Sequence, residues 1–539
     1  MFETNEPSPL PVPAVTKGGI SPELIAVSIA RRPILLLGDV GVGKTTFIRY
    51  LINVEAAGIF KQAIALHLDL GSQAALAEDL RAFVLHEIEN QLRELYGVDV
   101  YERNFVRGVY DLDLKRFQKG IYGELRESAP DQYRQKELAE LERVTSNRQE
   151  HLRRSLEHIA KGRQKQVVVF LDNADQRDDL TQEAAFLIAQ EMAQQWPALV
   201  FVSLRPETFN RSQRSGAISG YHAKAFTISP PRIDQVIIKR LRFALKLTQG
   251  EIRVRRLQNI ALRLESLTTL VIVLLQSLER DDRLFEFLDN ISGGNVRAAL
   301  MMLTTFIGSG HVHTQKILDI VAEQGSYDVP PHEILRAVIY GDHIHYDPTD
   351  SVISNLFDIS TPHGGEHFLL PLVIGVLERA TGAAVKEGFV ETSTVYESLQ
   401  NMGFTPDQID LAVGRAVDRQ LVETSGRQVP RRGSELPSAL RATATGLYHI
   451  HRLAGSFAYV DAMIVDTPIL DNPVRQHIRV GRNIEERLAT AEVFAAYLDS
   501  KWQALEKSAI GFDWAEASGE LRGQIATIRI RRAIRQNNR

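Results

Sequence analysis

Four stretches of the chain are apolar at nearly every position: "ILLLG" from Ile34, "QAIALHLDL" from Gln62 to Leu70, "QVVVFLD" ending at Asp172 and "ALVFVSLR" ending at Arg205; a fifth, "AKAFTI", closes at Ile228. Short runs without polar alternation predict strands buried on both faces, the pattern of a parallel sheet covered by helices. Between them the spacing turns helical. Leu76, Leu80, Phe83, Val84 and Ile88 recur on one face, and "QKELAELERVTSNRQEHLRRSLEHI" sets sparse leucines among charges. Residues from 74 to about 164 are therefore expected to form a helical insertion between strands. From Arg232 to about Gly310 the pattern is helical throughout and predicts a separate small bundle. Its strongest apolar run, "LTTLVIVLLQSL" from Leu267, is much shorter than the roughly 18 residues of a membrane span and is expected to be a core helix.

A stretch rich in Pro, Gly and Asp, "YGDHIHYDPTDS" from Tyr340 to Ser351, is the pattern of a linker. Beyond it come three helical segments, "FLLPLVIGVLERAT", "TSTVYESLQNM" and "TPDQIDLAVGRAVDRQ", a short strand "LVETS", a loop "GRQVPRRGSELPSA" and a strand "LRATAT". Three helices followed by a two-stranded ribbon make a winged-helix pattern, a variant of helix-turn-helix. The remainder is helical in pattern and ends in "IRIRRAIRQNNR".

The turn after the first strand carries the clearest chemistry. Gly38 to Thr45, "GDVGVGKT", matches G-x-x-x-x-G-K-[ST] without a mismatch and opens a helix. Glycines at that spacing let successive N–H groups curl around a phosphate at the positive end of the helix. The expected cradle is Gly38, Gly41, Val42, Gly43, Lys44, Thr45 and Thr46, with Lys44 on the terminal phosphates of ATP and the Thr45 hydroxyl on Mg²⁺. Asp172, where "VVVFLDNAD" meets solvent, is the expected carboxylate partner of that metal. The pairs His343/His345 and His311/His313 offer no assignable third metal ligand and are expected to be surface or turn residues.

Three further segments carry a resemblance. "SGGNVRAAL", Ser292 to Leu300, resembles the second sensor of AAA+ ATPases, most of all the initiator group of origin-recognition-complex and clamp-loader relatives. "LVFVSLRPETF" lies where such proteins have their first sensor, and its Ser203 and Arg205 are similar to the arrangement in STAND signalling NTPases. "FTISPPRIDQVIIKRLRFAL" resembles the segment that starts the helical lid of initiator-type ATPases. The resemblance implies that Arg297 brings a guanidinium to the terminal phosphate from the lid, and that Arg211 or Arg214 acts as a finger toward a neighbouring subunit's nucleotide. It also implies a glutamate after Asp172, where this chain has Asn173. An amide cannot take a proton as a carboxylate does. Either Asp175 acts in its place or hydrolysis is slow.

The expected organisation is thus α/β: a Pro-rich arm at 1–19, marked by Pro7, Pro9, Pro11 and Pro13, then a P-loop ATPase core at 20–231. A helical lid at 232–330, a linker at 331–365, a winged helix at 366–470 and a helical region with a basic tail at 471–539 follow. A net charge of −4 provides no global field for a polyanion, so DNA would have to be met by a local patch. The third helix of the winged helix opposes that role, with Asp407, Asp410 and Asp418 against Arg415 and Arg419. The wing, with Arg427, Arg431 and Arg432, and the tail, with Arg529, Arg531, Arg532, Arg535 and Arg539, favour it. Two functions follow: an initiator-like ATPase whose nucleotide state governs self-association and DNA engagement, or a STAND-like switch that recruits a protein effector. The chain has no cysteine, which rules out thiolate zinc sites and thiol nucleophiles and fits a reducing cytoplasm. No secretory leader or membrane role is expected from the pattern.

Overall fold

The structure is a computed structural model that describes residues 10–11, 31–71, 79–215, 218, 224–251, 264–309, 314–380, 388–425, 437–478, 481, 483–505 and 511–537. The chain forms two compact units, Met1–Pro230 and Pro231–Arg539.

The first unit is built on strands β1 (Leu10–Pro11), β2 (Ile34–Leu37), β3 (Ala63–Asp69), β4 (Gln166–Asp172), β5 (Ala198–Leu204) and β6 (Lys224–Thr227). They pair in parallel in the order β1-β6-β2-β5-β4-β3. The alternation of side chains along each strand divides the apolar residues between two cores. Leu35, Leu37, Leu66, Leu68, Val167, Val169, Val200 and Val202 face one side; Ile34, Leu36, Val168, Phe170, Leu199 and Phe201 face the other. The second face is covered by α1 (Lys44–Tyr50) through Phe47 and Ile48. The first is covered by α2 (Leu80–Tyr96), α3 (Arg148–Arg163) and α4 (Asp179–Gln195). Helix α5 (Pro206–Ser215) follows β5. Between α2 and α3 lies the rest of the helical insertion, with a small core of its own around Val106, Tyr110 and Leu141.

Strand β3 is an edge, and side chains of α2 cover it. Tyr96 Oη accepts from Ala65 N at 2.7 Å and donates to Ala65 O at 2.9 Å. Gln91 repeats the arrangement on His67, accepting at 2.9 Å and donating at 2.7 Å.

The second unit begins with α6 (Ile233–Thr248), α7 (Leu264–Arg280), α8 (Asp282–Ser292), α9 (Val296–Gly308), α10 (Thr314–Gln324) and α11 (Pro331–Tyr340). The run from Leu267 lies in α7 and is core, with Leu270, Val271, Val273, Leu274 and Leu278 buried. No described helix is long and apolar enough to cross a membrane.

Residues 331–365, expected to be a linker, are instead part of this core: α11 buries Ile334 and Ile339, and Ile353, Leu356 and Phe357 are fully buried. Asp342, His343, Ile344, His345, Pro348, Thr349 and Asp350 of the stretch from Tyr340 to Ser351 face solvent, while Tyr340, Tyr346 and Ser351 are buried. Internal bonds such as Tyr346 Oη to Ile353 O at 3.0 Å and Asn355 Nδ2 to Thr467 Oγ1 at 3.0 Å hold the irregular backbone. Turn chemistry within a folded segment gave the composition of a connector.

Next come α12 (Leu369–Ala380), β7 (Val390–Glu391), α13 (Thr392–Gln400), α14 (Pro406–Asp418), β8 (Val422–Thr424) and β9 (Ala439–Ala442), with the three strands antiparallel in the order β7-β9-β8. The ribbon is therefore three-stranded; β7, only two residues long, leaves no periodicity to read. The unit closes with α15 (Ala444–Tyr448), α16 (Ile484–Gln503) and α17 (Trp514–Asn537) among shorter helices. The expected basic tail is largely this last helix, anchored by the buried Trp514, Leu521 and Ile525.

Candidate nucleotide site

The loop between β2 and α1 stands at the C-terminal end of the sheet, where α/β folds bind ligands. Gly43 caps α1 in the left-handed region at φ 99°, a conformation a side chain would strain. Gly38 packs so closely that a Cβ there would come within 2.8 Å of Val42 Cγ2. Val42 is buried, Thr45 half-buried and Thr46 exposed.

Lys44 is buried and turned back on its own loop. Its ammonium donates to the carbonyl oxygens of Gly38 and Asp39 and lies 3.0 Å from Asp175 Oδ2. Burial pushes the Asp175 carboxyl above its usual value despite the adjacent ammonium. Its second oxygen, Oδ1, is buried with no hydrogen-bond partner among the described residues.

Asp172, at the end of β4, is fully buried. Its Oδ1 accepts from Ser203 Oγ at 3.0 Å and from the Asn173 amide at 2.9 Å, and its Oδ2 faces His67 Nε2 at 3.0 Å. Burial alone would raise this carboxyl. Hydrogen bonds from His67, Thr45 and Ser203 outweigh it and hold the group below its usual value. Arg205 donates through Nε to Asp175 O, and its backbone N–H donates to Gln182 Oε1 at 3.0 Å.

The strand bearing the loop, β2, is separated by β5 from β4, which bears the buried aspartate, and β3 lies outermost. The arrangement is a parallel α/β core with a phosphate-loop motif after its second strand. No family model matches the sequence, and no curated protein does. Among solved structures the chain is similar to Cdc6p from Pyrobaculum aerophilum, at 13% identity over 83% of this chain and 93% of that one, with a TM-score of 0.29. It is also similar to the Aeropyrum pernix ORC2 protein in its ADP form, at 10% identity over 78% and 88%, TM-score 0.35. A third is the Aeropyrum pernix ORC1 protein in complex with DNA, at 12% identity over 82% and 91%, TM-score 0.24. Likeness at these scores carries no argument. The α/β core and its phosphate loop are read from the strand order and motif of the chain itself.

Lys44, Thr45, Asp172, Asp175, Ser203 and Arg205 thus lie together at this end of the sheet. His67 and Asp69 belong to the same cluster and were missed. In "ALHLDL" they are polar positions two apart near the end of an apolar strand, so they share one face, and that alternation was the available signal. Asp69 sits beside Asp172 in the β3–β4 register. The donor set suits a magnesium nucleotide: a glycine cradle without room for a Cβ at Gly38, a primary ammonium, a hydroxyl and a buried ionised carboxylate.

Arg211 and Arg214 lie on α5, with side chains outside the described residues. Arg297 is an exposed residue in the first turn of α9, where Asn295 Oδ1 caps the Arg297 and Ala298 amides. It belongs to the second unit.

In the segment expected to form a winged helix, Arg427, Arg431 and Arg432 lie outside the described residues. Arg415 of α14 and Arg419, which caps its C-terminus, are engaged within the chain: Arg415 lies 2.9 Å from Asp358 Oδ2, and Arg419 donates to Ser351 O and Pro348 O. Asp407, Asp410 and Asp418 remain exposed. In α17, Arg529 lies 2.6 Å from Glu492 and Arg532 lies 3.5 Å from Glu485. The expected acid-free basic tail is therefore partly neutralised by α16, because folding as a helix sets it against those glutamates. Arg531 is exposed, the side chain of Arg535 is not described, and Arg539 lies outside the described residues. Elsewhere, His343, Asp347 and Asp350 bring ligand atoms within 4.8 Å of one another on a solvent-facing turn.

Proposed function

We propose that the chain binds ATP with Mg²⁺ at Gly38–Thr45, turns it over slowly, and uses nucleotide state to control its self-association and its engagement of DNA. The observation that carries the nucleotide reading is the meeting of Lys44, Thr45 and Asp172 at one end of the sheet, beside a glycine-capped helix start. Bound Mg²⁺ would supply charge neutralisation at the phosphates. The chain's own part is to hold Thr45 and Asp172 toward that ion, to offer Lys44 to the terminal phosphates and to present the loop amides.

Asn173 in place of a carboxylate supports slow turnover. In this reading Asp175 is the remaining carboxylate that can polarise water, once phosphate has drawn Lys44 away. Arg205 stands behind it, and Arg297 with Arg211 or Arg214 would complete the site from the lid and from a neighbouring subunit. DNA, in this reading, is held by its backbone through the wing arginines and the exposed cations of α17, without base readout by α14.

One observation favours the second function, a switch that recruits a protein effector: the exposed charges of α14 are all acidic while its arginines are engaged internally. Mass photometry with and without ATP and DNA separates the two. Assembly on DNA supports the first, and ATP-dependent assembly indifferent to DNA supports the second. For the enzyme itself, a turnover of tens per second or more that Lys44→Ala abolishes would reject slow hydrolysis.

A further inference from the structure

Thr45 Oγ1 donates to Asn173 Oδ1 at 3.2 Å, and Asn173 Nδ2 donates to Asp69 Oδ1 at 2.7 Å. This short relay has a fixed direction. An ionised carboxylate only accepts, so Asp69 draws the amide nitrogen of Asn173 to itself and leaves the amide oxygen toward Thr45. That oxygen also only accepts, so the Thr45 hydroxyl has to be the donor. The buried Asp172 carboxylate is the other acceptor within reach of that one proton; given to either, it leaves the hydroxyl's lone pairs turned elsewhere, which is the state needed to ligate a hard cation.

The far end of the relay is held tightly. Asp69 Oδ1 also accepts from Gly71 N at 2.9 Å. A Cβ at Gly71 would lie 3.0 Å from Asn173 Cβ and 3.2 Å from Asp69 Oδ1, so a larger residue would push the relay apart. Asn173 has φ 60°, a left-handed conformation that asparagine tolerates better than most residues.

We propose that Asn173 is a positioning residue which, oriented by Asp69, holds the Thr45 hydroxyl for Mg²⁺. The proposal rests on the reading of Gly38–Thr45 as a magnesium nucleotide site. It gives Asn173 a role of its own: a glutamate there would set a second carboxylate against Asp69 and lose the amide hydrogen that binds it.

The test measures the affinity of the full chain for a fluorescent ATP analogue in EDTA and in saturating Mg²⁺, and takes the ratio as the metal enhancement. Loss of a group that orients a ligand typically lowers metal affinity roughly 10–100-fold. Asn173→Glu, Asn173→Leu and Asp69→Ala are expected to lower the enhancement on that scale, the affinity in EDTA serving as each variant's own reference. Asp69→Asn, which keeps an acceptor oxygen, should retain most of it and remains informative if the harsher variants do not fold. A gain in enhancement with Asn173→Glu, or none lost with both Asp69→Ala and Asn173→Leu, overturns the proposal. Wild type that binds no nucleotide in either buffer overturns the parent reading, and this one falls with it. Wild type that binds in EDTA and is not improved by Mg²⁺ overturns the relay's role alone.

Discussion

Because the Lys44 ammonium lies 3.0 Å from a buried oxygen of Asp175, an incoming phosphate has to displace that partner before it can take the cation. Asp175→Asn keeps the shape and removes the competing charge. Under the proposed function the variant should bind ATP more tightly, by roughly tenfold to a hundredfold, the scale of one charge-assisted hydrogen bond in a buried pair. It should also hydrolyse more slowly, since an amide cannot accept the proton of water. Isothermal titration with a phosphate-release assay reads both, and weaker binding with unchanged turnover would contradict the account. At this scale the sequence was informative wherever a residue's role follows from spacing along one segment, as in Gly38 to Thr45. It was blind to partners brought together by strand pairing. His67 is 105 positions from Asp172, and only the parallel register of β3 on β4 makes them neighbours.

Among the elements, the start of α15 and the π-helical turn His449–Leu453 show how a buried imidazole sets a pH limit. His449 Nε2 accepts from Ser354 N–H at 3.1 Å and its Nδ1–H donates to Thr445 O at 2.7 Å, so the neutral ring is fully used. Burial lowers its pKa from 6.5 to about 4. The unfolded chain therefore binds the proton first as pH falls. Stability contributed by the neutral ring is complete above about pH 6.5 and is lost progressively toward pH 4, by about 3 kcal/mol. Urea unfolding at pH 7 and pH 4.5 should show this slope, and His449→Gln should reduce it by one proton's worth whatever it does to the baseline. Element types were legible where the hydrophobic period was long, as in β4, β5 and α7. They were misread between 331 and 365, where Ile353, Leu356 and Phe357 are too few and too irregularly spaced to announce a core. Helix α14 offers a separate check: if DNA is held without it, Asp407→Ala and Asp418→Ala should leave the salt dependence of binding unchanged, while Arg531→Ala should lower its slope by about one.

At the scale of the whole molecule, the proposed function predicts that ATP raises the assembled fraction in mass photometry and that Lys44→Ala removes the rise. The route by which copies can meet is narrowed by Tyr96 and Gln91, which occupy the outward amides and carbonyls of Ala65 and His67. A bare outermost strand invites a neighbour to extend the ladder, and this one is already plugged by phenol and carboxamide. Tyr96→Phe combined with Gln91→Leu would strip those plugs and leave the strand's polar groups unsatisfied, at about 1–3 kcal/mol each where water cannot reach them. Light scattering should then report clumping that is indifferent to ATP. In the native chain, growth by continuous sheet is closed on that flank, so a copy that meets it there has to do so through helices and loops, whose contacts a bound nucleotide can make or break.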